Sequence, residues 1–295
     1  MLRTVLDSNA SRRPDRRAVL AGLSAAAACL TLPAAAAEDA LAALEAKAGG
    51  RLGVFALDTG SGRSFAHRAD ERFLMCSTTK LVSVGAVLAR VDAGAEQLGR
   101  QVSYGAKDLD VGYAPDTKAH LAEGQMSMEA LCRAAITHSD NGAANLILSS
   151  LGGPAAVTRF ARGLGDTVTR FDRPELGLNR RDGERDTTTP RAFAATARAL
   201  LLGTALSPAS RDLLNRWTND CTTGSARIRA GVPSGWTVGD KTGTAGPFAN
   251  DVALLRPPGG SPIVVTAFYE VTDRKDAERE AVLRDAGAIA ARLAG

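Results

Sequence analysis

At 295 residues, with 45% hydrophobic side chains, the chain can bury a large core in one or two packed lobes. Its formal net charge is +4, but the first 37 residues carry five Arg and two Asp, which leaves +1 for the remainder. The basic balance is therefore no footprint for nucleic acid, and no aromatic-rich basic patch supplies one.

The chain opens with charge, Ser11-Arg12-Arg13-Pro14-Asp15-Arg16-Arg17, followed by an Ala-rich apolar run from Ala18 to Ala37 that ends in four alanines. A charged stretch, an apolar stretch and a small-residue terminus predict a cleaved export signal over 1–37 rather than a retained anchor. Arg16-Arg17-Ala18-Val19-Leu20 resembles a twin-arginine signal. The mature N-terminus is expected close to Glu38, giving a periplasmic or secreted protein with no stable membrane insertion. Cys29 lacks the Leu three residues before it that lipid attachment calls for. Beyond residue 37 stand Cys76, Cys132 and Cys221, an odd set that allows at most one disulfide.

Glu38 to Ala48 has helical spacing and stops at Gly49-Gly50. Arg51 to Asp58 and Ser64 to Arg68 flank the turn Thr59-Gly60-Ser61-Gly62, which predicts a hairpin. Cys76-Ser77-Thr78-Thr79-Lys80 then opens a helix that continues through an apolar run to Leu88, buried all round. Val91 to Gln125 is broken by Gly, Pro and charge, and predicts short helices and loops. Helices follow from a Ser127 cap to about His138, over Gly142–Leu151 and over Pro154–Gly163. Thr189-Pro190 and Ser207-Pro208 open two more, through Leu202 and Trp217. Strands return at Thr237–Ala245, Asp251–Leu255 and Ile263–Val271, the last predicted to be the longest. An amphipathic helix over Asp273–Leu293 closes the chain, with Val282, Ile289 and Leu293 on one face. The sheet is thus built from both ends of the chain. The expected fold is α/β (α+β) with two lobes: an antiparallel sheet flanked by N- and C-terminal helices, with an all-α lobe inserted. The sheet lobe should cover about 38–68 and 225–295, the helical lobe about 69–224, with the site at their seam.

Three short motifs carry the chemistry. Ser77 and Lys80 lie three residues apart and share a helix face, so an amine stands beside a hydroxyl that can be activated as a nucleophile. Ser139-Asp140-Asn141 and Lys241-Thr242-Gly243 follow in order. Each alone is weak, since the first suits a helix-ending turn and the second any edge strand. The ordered set resembles that of class A serine β-lactamases, within the penicillin-recognising superfamily, and the likeness covers nearly all of the chain after residue 37. It implies a small-molecule β-lactam as the partner, a monomer, and no cofactor or metal. Ser77 would attack the lactam carbonyl, with Lys80 as a base. Ser139 would relay a proton to the leaving nitrogen, Lys241 would keep the field positive, and Asn141 would bind the substrate amide. The backbone N–H groups of Ser77 and Thr244 would form the oxyanion hole.

The family's water-activating loop reads Arg-x-Glu-Pro-Glu-Leu-Asn. Here Arg173-Pro174-Glu175-Leu176-Gly177-Leu178-Asn179 stands in its place. A gapless register puts Glu175 at the general base and Asn179 at its partner, whereas a gapped one leaves no catalytic Glu. The gapless register keeps the separation a catalytic pair needs. Leu176 replaces the family proline, and Asn179 to Asp186 is two residues short. Arg173, Asp186 and Asn145 match the groups that close and support the loop.

The resemblance also gives Arg227 the substrate carboxylate, in place of a strand Arg absent from Ala249-Asn250-Asp251. It makes Tyr113 a wall of the cleft. Gly243 sits with Thr242 and Thr244 on the substrate-binding strand. Carbapenem-hydrolysing members bridge a cysteine at position 76 to one that is Ala245 here, and the position other members pair with Cys132 is Val84. All three cysteines are therefore expected to be free. His67, His120 and His138 have no metal-ligand spacing. The leading expectation is hydrolysis of penicillins and cephalosporins, conferring resistance. The alternatives are a penicillin-binding D-Ala-D-Ala carboxypeptidase or transpeptidase, and a non-hydrolytic β-lactam sensor.

Overall fold

The computed structural model describes Met1 and residues 33–294. The predicted twin-arginine motif and Cys29 lie outside these residues. Five strands, β1 (Arg51–Asp58), β2 (Ser64–His67), β3 (Thr237–Ala245), β4 (Phe248–Arg256) and β5 (Ile263–Glu270), form one antiparallel sheet in the order β2-β1-β5-β4-β3. β1 pairs with β5 from Arg51 opposite Glu270 to Asp58 opposite Ile263, so the two ends of the chain meet at the sheet centre. β3 and β4 have nine residues each, against eight in β5, so β5 is not the longest strand. The pairing of β3 with β4 extends β4 beyond its apolar stretch in both directions, from Phe248 to Arg256.

Both faces of the sheet are buried. One packs Val54, Ala56, Val265 and Tyr269 against Leu41 of the N-terminal helix and Leu283 and Ala286 of the C-terminal helix. The other packs Phe55, Leu254, Val264 and Phe268 against the helical lobe, where Phe193 meets Phe268 edge-on. The Thr79–Asp92 helix is the axis of that lobe. Ten successive residues from Thr79 to Leu88 are buried, which is why its sequence is apolar all round.

Local signals act as read. Ser127, Thr189 and Ser207 each accept a hydrogen bond from the backbone N–H three residues on, and Pro154, Pro190 and Pro208 sit in the first turns. The N-terminal helix starts at Ala34 rather than Glu38 and buries Ala37, because the alanines that resemble a cleavage site are also strong helix formers. A two-stranded antiparallel sheet of three-residue strands, Gln101–Ser103 with Gln125–Ser127, lies where helices and loops are predicted. Its strands are too short for an alternating pattern to register.

Cys76, Cys132 and Cys221 are buried free thiols. Cys76 packs with Leu74 and Phe248, and Ala245 lies against this cluster. Among the described residues no helix is long and apolar enough to cross a membrane, and no group of three His, Cys, Asp or Glu side chains could hold a metal ion.

Candidate active site

Ser77 lies in a turn of 3-10 helix, Cys76–Thr78, that leads into the buried helix. β3 presses directly on this turn. A Cβ at Gly243 would stand 2.7 Å from the Met75 carbonyl oxygen, so only glycine allows the approach. Asn250 of β4 donates from Nδ2 to the carbonyls of Leu74 and Met75, at 2.8 and 3.0 Å, and holds the turn from the sheet side. Cys76 and Ser139 both have positive φ, 49° and 60°. Such backbone costs about 1–3 kcal/mol per non-glycine residue and persists where the surroundings over-determine it, as at active sites.

The Lys80 ammonium is almost wholly buried and central. It donates to Ser77 Oγ at 2.9 Å, Asn141 Oδ1 at 2.6 Å and the Ser139 carbonyl at 2.7 Å. Glu175 Oε1 lies 3.2 Å away. Burial lowers the Lys80 pKa, and the negative charge of Glu175 partly offsets this. The Ser77 hydroxyl donates to Glu175 Oε1 at 3.3 Å, so two candidate proton acceptors flank it. Lys241 enters from β3 and donates to Ser139 Oγ at 3.0 Å. Burial, joined by the like charge of Lys80, brings its pKa down to about 8.

Ser139-Asp140-Asn141 is anchored through its middle residue. The Asp140 carboxylate caps the following helix at Ala143 N and accepts from Asp116 N, Thr117 N and Thr117 Oγ1. Asn141 spends its oxygen on Lys80 and donates from Nδ2 to the Val111 carbonyl, which leaves one N–H for a ligand. His138 turns away and faces Asp116 Oδ2 at 2.8 Å.

The loop carrying Glu175 brings its carboxylate to Asn179, as the gapless register expects. Asn179 Nδ2 donates to Glu175 Oε2 at 2.7 Å. Asn145 supports Glu175 from both sides, its Oδ1 accepting from Glu175 N and its Nδ2 donating to Glu175 O, each at 2.9 Å. Arg173 Nε donates to Asp186 Oδ2 at 2.6 Å and closes the loop. The Glu175–Leu176 peptide bond is cis. Leu176, in place of proline, projects half-exposed beside the cleft.

Ser77, Ser139, Asn141 and Asn179 open onto a cleft of about 420 Å³, with Tyr113 and Leu176 at one rim and Thr223, Thr242, Thr244 and Ala245 along the strand wall. Arg227 does not reach this cleft as a free cation. Its buried guanidinium lies behind β3, donating to the Gly243 and Asn250 carbonyls and, at 2.7 Å, to Thr244 Oγ1. It can act on a ligand through that hydroxyl. Thr223 was not singled out from the sequence. It lies in the loop after the Pro208–Asn219 helix, and only its position three residues before Ala226-Arg227 could have drawn attention to it.

A sheet lobe and a helical lobe that bring a Ser-Lys pair, a second Ser and a carboxylate paired with an Asn amide to one seam define a serine penicillin-recognising enzyme. A model of the β-lactamase enzyme family matches residues 36–293. A β-lactamase of Streptomyces albus G is 48% identical over 88% of this chain and 85% of its own length. The carbapenem-hydrolyzing β-lactamase KPC of Klebsiella oxytoca is 44% identical over 87% of each. The crystal structure of a β-lactamase from Burkholderia vietnamiensis superposes with a TM-score of 0.85 at 55% identity, covering 87% of this chain and 95% of that one. The chain belongs to the β-lactamase enzyme family and is a class A serine β-lactamase.

Proposed function

We propose that this β-lactamase hydrolyses penicillins and cephalosporins through an ester on Ser77, and so confers resistance to them. The observation that carries the reading is the convergence of Lys80 and Glu175 on the Ser77 hydroxyl, with Asn179 on the second oxygen of Glu175. In acylation, Ser77 Oγ attacks the lactam carbonyl carbon and its proton passes to Lys80 or Glu175. The C–N bond breaks, and the leaving nitrogen takes a proton through Ser139, which hydrogen-bonds to both lysines. In deacylation, Glu175 takes a proton from a water held with Asn179, the water oxygen attacks the ester, and Ser77 Oγ leaves with a proton. The N–H groups of Ser77 and Thr244 receive the oxyanion in both steps. Thr242 and Thr244, the latter backed by Arg227, meet the substrate carboxylate, and Lys241 supplies the field. A transpeptidase, or a sensor that stays acylated, has no use for a water-holding Glu–Asn pair.

Whole-protein mass spectrometry with a penicillin tests this reading. A transient adduct that gives way to free enzyme and ring-opened product is expected. An adduct that persists for hours would sink hydrolysis in favour of the sensor.

Residues 1–37 fit a cleaved twin-arginine export signal, which makes the enzyme periplasmic or secreted. N-terminal sequencing of exported protein should begin near Glu38, and an intact leader would refute it.

Lys241 gives a pH signature. Its pKa of about 8 means that the positive charge facing an anionic substrate is lost as pH rises through 8. KM for a carboxylate-bearing penicillin should climb several-fold between pH 7 and pH 9.5. Stability should move the other way. The folded pKa lies below the unfolded value of 10.5, so between those two values the unfolded chain binds more protons, and this residue's contribution to stability rises with pH. Lys241→Arg, which stays charged, should flatten the rise in KM; an alkaline limb unchanged in the variant would assign it to another group.

A further inference from the structure

On the strand wall of the cleft, three threonine hydroxyls stand in a row whose proton directions are constrained. Arg227 can only donate, so Thr244 Oγ1 accepts from it at 2.7 Å and the Thr244 O–H proton is free for another acceptor. Thr223 Oγ1 and Thr242 Oγ1 lie 2.5 Å apart, with one proton between them. Cys221 Sγ is 3.3 Å from Thr223 Oγ1. The thiol is buried, and burial raises its pKa, so it keeps its proton. Thiol sulfur is a weak acceptor, which favours the S–H donating to Thr223. Thr223 then donates to Thr242, and the Thr242 proton is left to point into the cleft. In the opposite sense, Thr242 donates to Thr223 and Thr223 to sulfur, and neither hydroxyl proton of the pair is left for a ligand.

We infer that Thr223 is a positioning residue that fixes the hydroxyl of Thr242 as a donor toward the anionic group of the substrate, with Cys221 setting the direction of the chain. An anion against the strand selects the donor sense of the relay, because that sense presents two O–H protons from the strand itself, those of Thr242 and Thr244. Hydrogen bonds in such a chain polarise one another, so the anion also strengthens the links behind it. A neutral group at the same place has no such demand. The row therefore discriminates carboxylates from their uncharged counterparts, beyond what the buried charges of Lys241 and Arg227 achieve. This inference rests on the β-lactam reading of the cleft.

The test compares a penicillin with its methyl ester, on wild type, Thr223→Val and Thr223→Ser. The substitution removes the neutral hydrogen bond that orients Thr242, and a bond of that kind sets the scale. Thr223→Val should raise KM for the free acid by about three- to tenfold, with kcat within a factor of about two and KM for the ester unchanged. Thr223→Ser keeps the hydroxyl and should restore the free-acid KM. An unchanged free-acid KM in Thr223→Val, or an equal rise for acid and ester, would overturn the relay. If Thr223→Val does not fold, Thr223→Ala is read on the same two substrates with the same outcomes. Should wild type fail to turn over penicillin, hydrolysis itself is refuted, and the acid-to-ester comparison is then made on the rate of Ser77 acylation, with the same results for and against.

Discussion

Glu175→Ala is expected to leave a covalent acyl group on Ser77. The carboxylate is one of two groups within proton-transfer distance of the Ser77 hydroxyl, at 3.3 Å, while Lys80 lies closer at 2.9 Å. Losing Glu175 therefore leaves acylation a route through Lys80, whose pKa burial lowers. Deacylation has no such substitute, because Asn179 can orient a water and cannot deprotonate it. General-base help is typically worth 10²–10⁴-fold, so steady-state turnover should fall by about that factor after an initial burst. Mass spectrometry should find an adduct on nearly every molecule, and none on Ser77→Ala. Turnover of Glu175→Ala at the wild-type rate would mean that another base serves the ester.

The second large effect concerns what holds that carboxylate in place. Arg173→Ala removes the cation from Asp186, whose carboxylate is buried and otherwise keeps only the N–H groups of Asp172 and Arg173. Breaking a buried pair by deleting one partner costs about 3–5 kcal/mol, and the two remaining bonds place this case near the lower figure. The melting temperature should drop by roughly 6–12 °C, at about 2–4 °C per kcal/mol for a chain of this size. Arg173 also donates to the Arg180 carbonyl, so the same change loosens the segment carrying Glu175 and Asn179. Deacylation should slow more than acylation. A variant that melts with wild type and deacylates at the same rate would remove Arg173 from this role.

Residues whose roles depend on backbone periodicity or on capping could be read in advance. Ser77 and Lys80 share a face because a helix puts them there, and the caps at Ser127, Thr189 and Ser207 follow from hydroxyls that precede helical runs. The contact between Glu175 and Asn179 could be anticipated because the gapless register keeps their spacing. Other features depend on side-chain direction, which sequence spacing does not encode. Arg227 was expected as the cation for the substrate carboxylate, and its place as a buried strut behind Thr244 was not legible. Asn141 was expected as a ligand contact, and its part as the acceptor for Lys80 was not legible. Thr223 belongs to no periodic element, and only the folded loop brings its hydroxyl to Thr242.

The pairing of β1 with β5 also constrains how the molecule is made. Arg51 and Glu270 meet across the sheet although they are 219 positions apart in the chain. At synthesis rates of about 5–20 residues per second, the first strand waits roughly 10–45 s before its partner exists. The helical lobe, whose contacts are more local, can condense in that interval, whereas the sheet must close a long loop first. Lys241 and Thr244 reside on a strand that joins β1 only through β4 and β5. The Thr79–Asp92 helix can thus form early, while the strand wall of the cleft is assembled last, so a nascent or truncated chain holds Ser77 without the groove beside it.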